Sequence, residues 1–147
     1  MKQKNKHIFV FGIFAVDLSF YVDKKVKPGE TIIAKSSNIG PGGKASNQAI
    51  SARKLGATTT LITRLGGDNF NSYANDIWRK EKLFTSTKID KNLPTGMAGI
   101  FIDDKTGENS VIVDPGASAN LCIDDFYSQK SKMKKGDIFL TQFEQSS

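Results

Sequence analysis

The sequence predicts an α/β protein: a parallel sheet covered by helices, with a smaller β layer attached to it. Three observations lead there. An apolar stretch rich in β-formers, residues 8–13, has the length and composition of a strand buried on both faces. Beyond it strand-like and helix-like patterns alternate, the order that a parallel sheet with crossover helices requires. Two further pairs of strand-like segments, each flanking a Gly-containing turn, stand outside that alternation.

In chain order, residues 18–22 and 31–38 mix apolar and polar side chains around Lys27-Pro28-Gly29-Glu30, a turn signal, and are expected as an antiparallel pair leaving the main sheet. Pro41-Gly42-Gly43-Lys44-Ala45-Ser46-Asn47 then runs into a helix on which Ala45, Ala49, Ala52 and Leu55 recur at helical spacing, with Gly56 as its C′ residue. Small alanines on that stripe let a helix lie close to a sheet. Residues 58–65 are β-branched and apolar and end at Gly66-Gly67-Asp68, a strand followed by a turn into a second helix. Phe70, Tyr73, Ala74 and Ile77 supply that helix's stripe, with Trp78 flanking it. Residues 95–103 and 109–113 form a second hairpin around Asp104-Lys105-Thr106-Gly107-Glu108. A last helix is expected between residues 124 and 133, and a final strand at 138–143. A parallel strand needs neighbours and helical cover, so the sheet reads as unfinished where this sequence stops.

Composition narrows the function classes. A chain of 147 residues can bury one real core, roughly 70% of its extended surface. The net charge of +6 comes from 21 basic and 15 acidic residues that are interspersed, as on solvated faces. No basic stripe interleaved with aromatics stands out, so nucleic acid is not an expected partner. Cys122 and His7 are each the only residue of their type, which removes a disulfide framework, a cysteine zinc site, a histidine-based triad and a histidine-rich metal site. The apolar run 8–16 carries Gly12, ends at Asp17 and lacks a signal-peptide cleavage pattern, and no stretch has the length of a membrane span. A soluble, cytoplasmic protein is expected.

The segment 41–47 is where chemistry concentrates. Two successive glycines remove the Cβ atoms that keep a ligand off the main chain and permit positive φ. The first turn of the following helix presents unsatisfied N–H groups and a partial positive charge to oxygen-rich ligands. Lys44 adds an ammonium and Asn47 an amide that both donates and accepts. A Gly-rich loop that merely caps a helix is the alternative reading of the same glycines.

Taken together, the order of motifs resembles the amino-terminal half of the ribokinase-like (PfkB-type) carbohydrate kinases over nearly the whole chain. The resemblance is carried by Gly12 and Asp17 after the first strand, by Lys27-Pro28-Gly29-Glu30-Thr31, and by the run from Pro41 through Ala49. It continues with Leu55-Gly56-Ala57, Leu65-Gly66-Gly67-Asp68-Asn69-Phe70, Pro94-Thr95-Gly96, Gly107-Glu108-Asn109-Ser110, Pro115-Gly116-Ala117 and Gln142-Phe143-Glu144. Each is weak alone; their order and spacing are not.

The resemblance implies a partial Rossmann-like sheet with helices and a small β lid, whose strands fall at about 15–39 and 95–114, with Thr95, Gly96 and Met97 counted among the lid residues. It implies a sugar site to which Asp17, Gly43, Lys44, Asn47 and Glu144 contribute, and a substrate such as ribose. It further implies Mg and ATP, a possible monovalent cation, and a homodimer formed through the lid. The chemistry agrees, since a polyol both donates and accepts, and carboxylates, an ammonium and an amide are suitable partners.

Two departures qualify this. Where ribokinases carry an asparagine two residues before the acid matching Asp17, this chain has Ala15, which puts ribose itself in doubt. The family's Gly-Ala-Gly-Asp type motif with its general base, its nucleotide loops and its cation site are missing from these residues, and no Walker-type loop replaces them. No catalytic residue and no metal ligand is therefore expected in this chain. It reads as an amino-terminal portion, residues 1–147, of a truncated or longer kinase lacking its ATP-binding half, and inactive alone. A non-enzymatic module that binds sugar or pairs through its lid is the alternative.

Overall fold

The structure, a computed structural model, describes residues 6–134 and 137–144. It contains two four-stranded sheets. The main sheet has the order β5-β4-β1-β8 and is parallel throughout: β1 (His7–Phe11) lies between β4 (Thr58–Gly66) and β8 (Ile138–Thr141), and β5 (Phe84–Asp90) lies outside β4. The α/β class is thus as expected.

One face of this sheet is covered by α1 (Lys44–Lys54) and α2 (Asn69–Lys80), and the core there joins Val10, Leu61 and Leu65 to Ala45, Ala49, Ala74 and Trp78. Trp78, expected to flank its stripe, is fully buried, stacks edge-on against Phe14 and donates to the Ser46 hydroxyl at 3.1 Å. The other face packs Phe9, Phe11 and Ile62 against Leu121 and Phe126.

The second sheet is formed by the segments expected as the lid. Its order is β3-β2-β6-β7, with β2 (Ala15–Val22) and β6 (Met97–Asp103) parallel in the centre and β3 (Ser36–Gly42) and β7 (Asn109–Asp114) antiparallel at the edges. The two expected hairpins therefore fuse into one sheet along a long-range pairing, Val16 opposite Met97 through Val22 opposite Asp103.

Several local expectations are corrected. Leu55 is the C-cap of α1 and 88% exposed, so it does not belong to the buried stripe. Gly56 closes the helix as expected, at φ +90°, with its N–H on Arg53 O and that of Ala57 on Ala52 O. The strand expected at 31–38 begins only at Ser36, and β2 begins at Ala15. β5 has no counterpart among the expected elements. The expected last helix is two short pieces, α3 (Ile123–Tyr127) and a 3-10 turn at Lys130–Lys132, and a further 3-10 turn at Gly116–Asn120 precedes it. Asp125, the third residue of α3, accepts from the Cys122 N–H at 3.0 Å, a capping box that starts the helix at Ile123.

Candidate functional site

The chain crosses between the two sheets at the carboxyl ends of β1 and β4, and there its motifs meet. Glycine is required at each crossing because main chain packs on main chain. A Cβ on Gly43 would stand 2.5 Å from Ile13 O and 2.7 Å from Phe14 Cα, and its φ is +83°. A Cβ on Gly116 would meet Pro94 O at 2.4 Å.

Gly43 is also the N-cap of α1, which has no side-chain cap. By contrast α2 is capped by Asp68, whose carboxylate accepts from Phe70 N at 3.1 Å. Gly43 thus caps α1, as the alternative reading of Gly42-Gly43 has it, and the amide groups opening α1 are left without a side-chain acceptor.

Asp17 stands on β2, opposite Gly40 on β3 and Ala98 on β6. Its carboxylate leans over Gly42, where a Cβ would come within 2.1 Å of Oδ1, so the glycine makes room for the acid. The side chain is half-buried, and burial pushes its carboxyl above the usual range. Among the described residues it has neither a hydrogen bond nor an ion pair. Ala15, opposite Gly42, is buried.

Lys44 opens α1 with its side chain 69% exposed and pairs with the carboxylate of Glu144, which is 22% exposed. Asn47, a turn further on, is exposed; its N–H donates to Gly43 O at 3.0 Å and its side-chain amide makes no hydrogen bond among the described residues. Lys44 and Glu144 are thus in contact, and Asp17 and Gly43 share the same entry into α1.

The three lid residues sit at the lid's base, not on its surface. Thr95 is fully buried, donating from its hydroxyl to Asp68 Oδ1 at 2.8 Å and from its N–H to Oδ2 at 2.7 Å, while accepting from Gly66 N at 3.0 Å. Gly96 O accepts from Val16 N at 2.8 Å, and Met97 packs on the main core. Sequence reasoning missed this Asp68–Thr95 clamp, although an Asp directly before a helical stripe is an N-cap signal.

It also missed a buried ion pair. Arg64 donates to Asp125 Oδ2 at 2.7 Å and Oδ1 at 3.2 Å, and to Cys122 Sγ at 3.3 Å. Burial pushes the Asp125 carboxyl up, but Arg64 and the Cys122 N–H outweigh it and hold it below the usual range.

The whole described stretch, from the first strand to the end of β8, fits one family. The pfkB family carbohydrate kinase pattern matches residues 5–142. The chain belongs to the pfkB family of carbohydrate kinases. Within that family it is similar to the ribokinase of Dictyostelium discoideum, 36% identical over 144 residues, which are 95% of this chain and 44% of that protein. It is also similar to the deoxyribokinase of Salmonella typhi, 33% identical over 140 residues, covering 93% of this chain and 45% of that one. The structure of Giardia lamblia ribokinase superposes with a TM-score of 0.86 at 28% identity, over 96% of this chain and 43% of that chain. This pfkB chain therefore spans less than half the length of these relatives.

Proposed function

We propose that this chain is the sugar-binding and lid portion of a kinase that phosphorylates a sugar hydroxymethyl group at the expense of ATP, with ribose as the favoured acceptor. The observation that carries this reading is Asp17. A half-buried carboxylate without a partner among the described residues is costly to keep charged, and a polyol hydroxyl is a donor that would satisfy it.

The other groups complete the set. Lys44 and Asn47 donate toward the sugar from the mouth of α1, Gly43 lets the ligand approach the main chain, and Glu144 accepts. The lid, hinged at the buried Asp68–Thr95 clamp, would shield the reacting hydroxyl from water. Mg, ATP and a monovalent cation are given no residues here. Among the described residues no cluster of His, Cys, Asp and Glu could hold a metal ion, and the sequence offers no phosphate-binding loop of the Walker type.

The chain alone is accordingly expected to be inactive. A cytoplasmic setting fits a kinase that draws on ATP, and no helix among the described residues is long and apolar enough to cross a membrane. Pairing through the lid is supported by β7, an edge strand on which Val111, Ile112 and Val113 are 50%, 70% and 56% exposed. That same edge favours the second reading, a non-enzymatic module that acts through its lid.

The test is calorimetric titration of the purified chain with ribose and with 2-deoxyribose, together with an assay for ATP-dependent sugar phosphorylation. Saturable sugar binding without turnover is expected. Turnover would refute the assignment of catalysis to residues outside this chain, and absence of binding to either sugar would favour the module.

A further inference from the structure

We propose that Gln142 is a positioning residue of this site: its amide, clamped between Gly12 and Gln48, fixes the exit of β8 so that Glu144 meets Lys44 at the mouth of α1. The inference rests on the reading of Glu144 as a sugar contact.

The Gln142 amide donates from Nε2 to Gln48 Oε1 at 2.6 Å, tying the end of β8 to the first turns of α1. Its Oε1 lies over Gly12, where a Cβ would be 2.3 Å from that oxygen and 2.7 Å from Ala45 Cβ. Gly12 thus makes room for the amide just as Gly42 makes room for Asp17. That Oε1 is buried and has no hydrogen-bond partner among the described residues, an unfavourable state that an apolar side chain of the same length would avoid. A residue kept at such a cost is expected to do more than fill space.

The next residue points the same way. Phe143 has φ +56°, a left-handed backbone that is unfavourable for a residue other than glycine, and its ring is 89% exposed, so packing of the ring does not explain the turn. The turn stands between the anchored amide and the carboxylate that pairs with Lys44. Among the described residues, the segment after β8 is otherwise held by the ion pair of Glu144 with the exposed Lys44.

The test measures placement independently of sugar. In the full chain carrying Cys122→Ser, Lys44→Cys and Glu144→Cys, the rate of disulfide formation under mild oxidation reports how often the two positions meet. Gln142→Met keeps the packing and loses the hydrogen bond; Gln48→Met removes the same bond from an exposed helical position and so keeps the test open if the first variant does not fold. Each is expected to slow crosslinking about threefold or more, the effect of losing one neutral hydrogen bond, and the two together are expected to slow it no further. Urea unfolding of each variant shows whether the folded fraction is unchanged. Unaltered crosslinking in either folded variant overturns the proposal.

Ribose titration of the chain with its native Lys44 and Glu144 separates this from the functional reading. Gln142→Met should weaken binding about threefold or more, and should have no effect once Glu144→Gln is present. Slower crosslinking in a chain that binds neither sugar would refute the sugar site and support the clamp. Sugar binding with crosslinking unaltered would do the reverse.

Discussion

Replacing Asp17 by Asn should strengthen the fold and weaken the site at the same time. Burial raises the Asp17 carboxyl above its ordinary value, and no cation or donor among the described residues compensates. The folded state therefore binds the proton more tightly than the unfolded one, whose value lies near ~3.9. Stability from this group is fully present below the unfolded value and is lost as pH rises through the raised folded value, so at neutral pH the charge works against folding. Asn has the same shape and no charge. Because the carboxylate is only half-buried and solvent screens it, the gain at neutral pH should be about 0.5 kcal/mol. The loss in binding should be larger: the Asn oxygen still accepts, but a bond to a charged acceptor of about 1.5–3 kcal/mol becomes a neutral one of about 0.5–1.5, a loss of about 1 kcal/mol or about fivefold in Kd. Urea unfolding at neutral pH and at about pH 4, where the difference should shrink, measures the first effect, and ribose titration the second. A variant that is less stable at neutral pH, or that binds ribose as tightly as the native chain, would refute this reasoning.

Arg64→Ala should cost about 3–5 kcal/mol in urea unfolding, because it leaves the Asp125 carboxylate, 6% exposed, with the Cys122 N–H but no cation nearer than Lys88 at 3.8 Å among the described residues; Arg64→Met with Asp125→Leu should cost less than the single change. His7 sits below its ordinary pKa because burial outweighs the opposing charge of Asp137, so its contribution to stability is lost as pH falls through the unfolded value near ~6.5. His7→Gln should flatten the fall in urea midpoint between about pH 7 and pH 5, and an unchanged slope would show that another group titrates. Gly66→Ala places a Cβ 2.3 Å from Pro94 C and Thr95 N, both backbone, and should lower stability by about 1–3 kcal/mol, read as a fall in Tm.

What the sequence made legible depended on range. Residues 8–13 and 58–65 announce buried strands because continuous apolar runs mark burial on both faces. β5 escaped notice because Phe84–Asp90 is an edge strand with exposed Phe84 and Ile89 and polar residues between them, so neither periodicity nor apolarity sets it apart from a loop. The lid strands were recognisable as hairpins, whereas the pairing of β2 with β6 joins segments some 80 positions apart and leaves no local trace. Leu55 and Trp78 were misplaced for one reason: a stripe gives the direction of a helix face but not where the helix ends or how deep a large side chain goes. The helix entry at Gly43, Lys44 and Asn47 was legible because close backbone approach and a helix start constrain composition. Thr95 and Gln142 stood in recognised motifs, but their partners, Asp68 and Gln48, were not legible, since only the fold brings each pair together.

The Lys44–Glu144 pair explains how such a site can be ordered and still open. Both side chains are proposed to contact sugar, and in the structure each holds the other. A pair as exposed as this one contributes about 0–1 kcal/mol, so its opening by an incoming polyol costs little. Asp17 behaves differently: it lies deeper and has no substitute partner among the described residues, so the free energy that a sugar hydroxyl recovers there is not spent on breaking an existing contact. In the proposed sugar site, affinity should therefore depend mainly on Asp17, while the Lys44–Glu144 pair ties the α1 entry to the β8 exit. Positions such as Gly12, Gly42 and Gly43 matter to that separation because each lets another group approach closer than a Cβ would allow.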